Sequence, residues 1–305
     1  MGLAVAIILT LNQRDRTLAC LTSLLADEVS SFRVLVWDNG SEDGTEESVR
    51  EAFPQLLVHR HPTNLGVASG RNAAAELAIE TFDPTYLLFL DNDMLVEPGF
   101  VNGLLEPFLE DQRVGQTQAK LRFMDDRSRI NDGGGAQINF VLWQVTPVGY
   151  GEIDNGQYDT VKGCVSCGGA MMVRADVFRQ LGGFDRAFDP FGPEDLDFSL
   201  RLQEAGYLAL YTPQATAYHV VSHTYGKGYS PEYARHKSRH WYVFMRRHAS
   251  PAQKVGFFLL GAPYMAARAM IREVRRGNIG AFQGLVSGFL ESMQASIKRN
   301  EGHDG

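Results

Sequence analysis

Over its first hundred residues the chain switches between short apolar runs and amphipathic stretches, and this alternation leaves few folds open. Val5–Leu9, Arg33–Trp37, Leu56–Val58 and Tyr86–Leu90 read as strands; Thr17–Leu25, Glu46–Phe53 and Val67–Ile79 read as helices. Strands and helices in strict succession build an α/β fold, a parallel sheet wound with helices. Such sheets bind ligands beyond the carboxyl ends of their strands. Three of those ends are polar here: Thr10-Leu11-Asn12, Asp38-Asn39-Gly40-Ser41 and Asp91-Asn92-Asp93. A site is therefore expected along that edge.

From Gly115 to Val173 the pattern loosens into short strands punctuated by glycine. A helix returns over Glu194–Ala205, stopped by Gly206 in the left-handed cap position. Short strands follow at Tyr207–Tyr211 and Thr216–His219, and after about residue 230 the texture is helical, basic and aromatic. A chain of 305 residues with 44% hydrophobic and 21% charged residues has ample material for a core. The net charge of -7 is unevenly spread: Arg235–Arg276 holds ten Lys/Arg against Glu273 alone. No nucleic-acid partner is indicated; a basic C-terminal face is. Cys20, Cys164 and Cys167 form no disulfide framework, and Cys164-x-x-Cys167 lacks a second ligand pair, so structural thiols in reducing, cytoplasmic surroundings are expected. Residues 1–10 read as a first strand instead of a signal peptide. No run approaches the roughly 18 apolar residues of a spanning helix.

Several nucleotide-binding devices are missing. The turn after the first strand, Thr10-Leu11-Asn12-Gln13, has no GxGxxG glycines, and neither a P-loop nor a Gly-x-Ser-x-Gly elbow occurs. A nucleotide held on this sheet needs another partner for its phosphates. Asp91 and Asp93, one residue apart at a strand end, offer hard oxygens for Mg²⁺ or Mn²⁺. In Glu194-Asp195-Leu196-Asp197 the acids open a helix and meet its dipole; Asp195 is also placed to serve as a general base. His219, at a strand end, is a candidate third metal ligand, with His223 as its rival.

In this order, Ile7–Asn12, Val36–Thr45, Asn64-Leu65-Gly66 with Gly70-Arg71-Asn72, Leu88–Asp93, Gly182–Asp185, and Glu194–Asp197 with Arg201 and Gly206-Tyr207 resemble the inverting glycosyltransferases of family 2. The likeness covers roughly residues 1–225. It implies the GT-A fold, a mostly parallel central sheet flanked by helices, with a C-terminal helical extension. It implies a catalytic domain over 1–230, its nucleotide-binding half at 1–115 and acceptor-binding half at 116–230, and an extension over 231–305. Carried onto this sequence, Asp38 reads the base, Thr10 and Asn12 line the nucleoside pocket, and Arg71 orients or neutralises the nucleotide. Asp93 is the metal ligand, Asp91 lies by the ribose or reaches the metal through water, and Asn92 belongs to the same donor-binding strip. Asp195 is the catalytic base and Glu194 its companion near the acceptor. Val220-Val221-Ser222 after His219, and Gly192-Pro193 before Glu194, depart from the family's usual strings.

The resemblance points to transfer of a sugar from a UDP-, dTDP- or GDP-linked donor to a saccharide or lipid-linked saccharide, in cell-surface polysaccharide or glycolipid synthesis. A nucleotidyltransferase and a silent sugar-nucleotide-binding protein are the alternatives. The basic C-terminal stretch reads either as a packed helical subdomain or as an interfacial segment on an anionic membrane, which would put the protein at the inner face of the plasma membrane.

Overall fold

The computed structural model describes residues 2–27, 31–166, 169–220 and 230–301. The chain divides into two compact units, one of residues 1–136, 146–189 and 194–221, the other of 137–145, 190–193 and 222–305.

The larger unit is built on one sheet of ten strands. β1 (Ala4–Thr10), β2 (Phe32–Asp38), β3 (Leu57–Arg60) and β4 (Tyr86–Asp91) are parallel, in the order β3-β2-β1-β4. Beyond β4 the sheet is mixed. β11 (Ala170–Arg174) runs antiparallel to both β4 and β6 (Val114–Phe123), and β12 (Leu208–His219) then pairs parallel with β6. β10 (Lys162–Gly163) and β5 (Met94–Val96) pair with β12, and β7 (Ile130–Asp132) with β6. β8 (Ala136–Asn139) and β9 (Gln144–Pro147) form a separate two-stranded sheet.

Both faces of the sheet are covered, which is why its parallel strands are apolar on alternate residues of either parity. Ile8, Val36 and Leu88 pack with Leu21 and Leu24 of α1 (Arg14–Leu25) and Phe100 and Leu104 of α4 (Phe100–Glu110). Ile7, Leu35 and Phe89 pack on the other side with Ala74 and Ala78 of α3 (Val67–Phe82), Phe178 of α5 (Ala175–Gln180) and Phe198 of α6 (Glu194–Glu204). α2 (Thr45–Ala52) connects β2 to β3.

Two details differ from the sequence pattern. The segments expected as two strands at 207–211 and 216–219 are one twelve-residue strand, β12, in which the pairing slips between Thr212 and Thr216 around Pro213. β6 replaces the expected short strands with ten continuous residues, although VGQTQAKLRF reads as polar. Three of its buried polar side chains have partners: the Thr117 hydroxyl donates to the Leu104 carbonyl, Gln118 to Asp132, and Lys120 to Asp154.

The smaller unit is mainly helical: α7 (Pro231–His248), α8 (Pro251–Gly256), a π-helical turn over Phe257–Gly261, α9 (Ala262–Arg275) and α10 (Ile279–Glu301). Ser230 caps α7 by accepting from the Tyr233 amide, with Pro231 at the first helical position; Ser250 and Gln253 form a capping box on α8. Trp143 stacks flat on Phe257 at 3.9 Å between ring centres. α10 lies directly against α7, and a Cβ on Gly284 or Gly288 would overlap the carbonyl oxygens of Pro231 and Arg235.

Gly288→Leu is therefore expected to lower unfolding stability by about 2 kcal/mol or more, as forced overpacking does. Val286→Ala, two residues away and exposed, should stay within about 0.5 kcal/mol. Urea titration of both variants measures the difference.

Candidate active site

β1, β2 and β4 end side by side, so Thr10 pairs with Asp38 and Leu9 with Asp91 across the sheet. This register gathers the three polar strand ends. Beneath them, the Asn92 amide donates to the hydroxyls of Thr10 (3.1 Å) and Thr17 (3.0 Å), which also bond each other at 2.8 Å. All three are buried, and they tie the end of β4 to β1 and α1. Asn12 adopts φ +52, a left-handed conformation asparagine tolerates, and its side-chain Oδ1 accepts from the Glu42 backbone amide while its own backbone amide donates to the Ser41 hydroxyl. The loops after β1 and β2 are thus laced together. Asp38 is fully buried: Oδ1 accepts from the Ser41 amide at 2.7 Å, and Oδ2 has no hydrogen-bond partner among the described residues.

Arg71, on α3, is buried and joins two acids from distant parts of the chain. Its Nη2 meets Asp91 Oδ1 at 2.6 Å and its Nη1 meets Glu194 Oε1 at 3.1 Å. The surrounding carboxylates decide its charge: burial alone would lower its pKa, but Asp91, Glu194 and Asp195 raise it. One guanidinium cannot neutralise three carboxylates. The imbalance falls on Glu194, whose pKa is pushed up to about 8 by burial first and by neighbouring Asp195 second, with Arg71 opposing. Asp195, on the first turn of α6, is half-buried, and one of its oxygens accepts from the Leu196 amide.

Asp93 and His219 meet through backbone pairing. β5, which begins immediately after Asp93, runs antiparallel to the end of β12 with Met94 opposite His219, and the Val220 amide donates to the Asp93 carbonyl. His219 Nε2 lies 3.7 Å from Asp93 Oδ1. Burial and Asp91 raise the Asp93 pKa against the opposing pull of His219 and Arg16. Among the described residues no group of three His, Cys, Asp or Glu surrounds a single metal position. Asp93 and His219 still fit a divalent cation, because Mg²⁺ and Mn²⁺ sites commonly take one or two protein ligands and complete the shell with phosphate and water. Asp91 has one oxygen on Arg71. His223 lies outside the described residues, as does Cys167; Cys20 and Cys164 are buried thiols.

Three residues near the acids lie outside the sequence motifs. Asn131, buried on β7, accepts the Nδ1 proton of His219 at 3.1 Å, which leaves Nε2 directed towards Asp93. Gly169, just before β11, has no room for a Cβ, which would fall inside the Asp91 carboxylate; its carbonyl also receives the Asp91 amide at 2.6 Å. Arg16 stands 4.0 Å from Asp93 and lines an open cavity of about 480 Å³ with Asn12, Gln13, Arg14, Asp15 and Asp43. Its available clue is position: a cation in the first turn of α1 opposes the helix dipole. Other motif residues are structural. Asn72 bonds both the amide and the carbonyl of Phe184, and Arg201 pairs with Asp197 while donating to the carbonyls of Leu181 and Gly183.

Two outcomes follow from this geometry. Because the Glu194 pKa is raised on folding, its stability contribution is complete at low pH and is lost as pH rises from the ordinary carboxylate range towards 8. Glu194→Gln should therefore gain stability relative to the parent as pH rises across that window, read by thermal melts at several pH values. Gly169→Ala should displace Asp91 and weaken binding of a nucleotide ligand by roughly tenfold, an energy of about 1.4 kcal/mol, measured by calorimetry.

The chain is similar to known proteins over most of its length. The model described as Glycosyl transferase family 2 matches residues 5–182, and that described as the N-terminal domain of galactosyltransferase matches 157–224. N-acetylglucosaminyl-diphospho-decaprenol L-rhamnosyltransferase of Mycobacterium tuberculosis is 26% identical over 252 residues, covering 77% of this chain and 80% of its own. The mannosyltransferase PcManGT from Pyrobaculum calidifontis, solved with GDP-Man and Mn²⁺, superposes with a TM-score of 0.59 at 16% identity, covering 96% of this chain and 87% of that one. GalNAc-T7, solved with UDP, GalNAc and Mn²⁺, gives 0.60 at 15% identity over 72% of this chain and 43% of its own. With its fold of the GT-A type and the family model spanning more than half its length, the chain belongs to glycosyltransferase family 2.

Proposed function

We propose that this glycosyltransferase moves a sugar, with inversion, from a nucleotide-diphosphate donor to a hydroxyl of a saccharide or lipid-linked saccharide, in the synthesis of a cell-surface polysaccharide or glycolipid. The observation that carries the reading is the Arg71 bridge, which joins the carboxylate at the end of β4 to the acid that precedes Asp195. It links the donor edge of the sheet to the helix bearing the base.

In the reaction, the Asp195 carboxylate takes the proton of the acceptor hydroxyl as its oxygen attacks the anomeric carbon. The new bond forms on one face of the sugar while the bond to the diphosphate oxygen breaks on the other, and the nucleoside diphosphate departs. Glu194, held by Arg71, supports the loop edge on the acceptor side. Arg71 and Arg16 add positive charge on either side of the Asp91–Asp93 strip, which favours an anionic donor. Asp93 and His219 are the residues that would hold Mn²⁺ or Mg²⁺, and such an ion, when bound, neutralises the diphosphate leaving group. Asp38 Oδ2, buried and without a partner among the described residues, is the acceptor available to a base ring N–H once the base covers it. The structural neighbours are solved with GDP-Man and with UDP, so UDP, dTDP and GDP are the nucleotides to compare.

Asp195→Asn is expected to lower kcat by about 10² to 10⁴-fold with donor affinity nearly unchanged. A thermal-shift panel of UDP-, dTDP- and GDP-sugars, each with Mn²⁺ or with EDTA, selects the donor for that assay. Metal-dependent stabilisation by one nucleotide and an inverted product anomer by NMR are the expected results. Turnover by the Asp195 variant at the parent rate would remove the assignment of the base.

A further inference from the structure

The outward surface of the helix over 251–275 is apolar where a surface helix is normally charged. Its inward stripe is narrow: Phe257, Gly261 and Glu273 are buried, and Met265 and Ala269 on the same four-residue spacing are partly covered. Outside that stripe stand Val255 (59% exposed), Phe258, Leu259 (71%), Leu260 (67%), Tyr264, Met270 and Ile271. α10 adds Ile279, Val286 and Leu290, which seven- and four-residue spacings place on one face of that helix. Ten of the fourteen exposed large hydrophobic residues among the described ones thus fall between 255 and 290. Such concentration marks an interaction surface, whereas single exposed apolar residues do not.

The charges on the same stretch choose the partner. Lys254, Arg268, Arg272, Arg275 and Arg276 stand against one acid, Glu273, which is buried and bonded to Arg272. An isologous contact between two copies of this surface would set one basic row against its twin. No helix among the described residues is long and apolar enough to cross a membrane. Apolar residues interleaved with long basic side chains, whose stems lie along the apolar surface while their heads reach phosphate, match a bilayer interface. We infer that residues 251–290 form an interfacial anchor that lies in the headgroup region of an anionic membrane, with Phe258, Leu259, Leu260 and Tyr264 entering the acyl boundary. This inference rests on the helical unit alone and is independent of the proposed reaction.

Flotation of the full chain with phosphatidylcholine vesicles, with and without phosphatidylglycerol, tests it. The protein should float with the anionic vesicles at low salt and much less at about 1 M NaCl, where the Debye length is about 3 Å. Leu259→Asp combined with Leu260→Asp should weaken vesicle binding on the order of a hundredfold, since two leucines no longer leave water. The thermal melt and nucleotide binding should not change, because both side chains are exposed. Arg275→Ser with Arg276→Ser should diminish the preference for anionic over neutral vesicles. Absence of flotation with anionic vesicles at low salt, or flotation indifferent to the double Asp variant, would overturn the anchor. Concentration-dependent dimers abolished by that variant, without flotation, would assign the surface to a second copy instead.

Discussion

A single buried guanidinium organises the candidate-site end of the larger unit. Arg71 reaches from α3 to the carboxylate that closes β4 and to the first residue of α6, sites separated by more than a hundred positions in the chain. A charge so deeply buried is tolerated only when it is paired and hydrogen-bonded, and pairing with acids from two elements makes the position of each depend on the other. The arrangement leaves more carboxylates than cations. A cluster with surplus negative charge next to the Asp93–His219 pair is chemically suited to a divalent cation and to a donor that carries it. The same surplus keeps a proton near Glu194 when nothing else neutralises the site.

Backbone register does the rest of the gathering. His219 is 126 residues from Asp93, yet antiparallel pairing of β5 with β12 delivers one to the other without a side-chain tether. Asn131 then turns the imidazole by accepting its Nδ1 proton. Position along a strand therefore decides which residues meet, and hydrogen bonds decide how they are aimed.

Much of this was readable beforehand because the local signals agreed. Val5–Leu9 and Tyr86–Leu90 are apolar on every residue, as strands covered on both faces must be, and each ends in polar residues. Asp91, Asp93, Glu194, Asp195, Arg71 and His219 stand in strings that a reader can match. What escaped notice depended on tertiary partners. β6 looks too polar for the middle of a sheet until Asp132, Asp154 and the Leu104 carbonyl are placed beside it. Gly169 carries no local mark, since its requirement is the Asp91 carboxylate folded against it. Asn131 is an ordinary strand residue in the sequence, and only the packing of β7 beside β12's neighbour gives it a histidine to orient. Arg16 offered a local clue, a cation in the wrong half of a helix, though that clue names no ligand.

The buried trio of Asn92, Thr10 and Thr17 changes what the acidic strip means genetically. The middle residue of Asp91-Asn92-Asp93 fastens the sheet to α1, whereas its neighbours meet Arg71 and His219 at the proposed donor edge. Selection would thus act on adjacent letters of one motif for unrelated reasons, fold abundance for Asn92 and turnover for Asp93. In a mutational survey scored by both protein level and sugar transfer, the three positions would separate into different phenotypes despite their adjacency. The same separation would extend to Asn72, next to Arg71, and to Asp197, two residues from the proposed base.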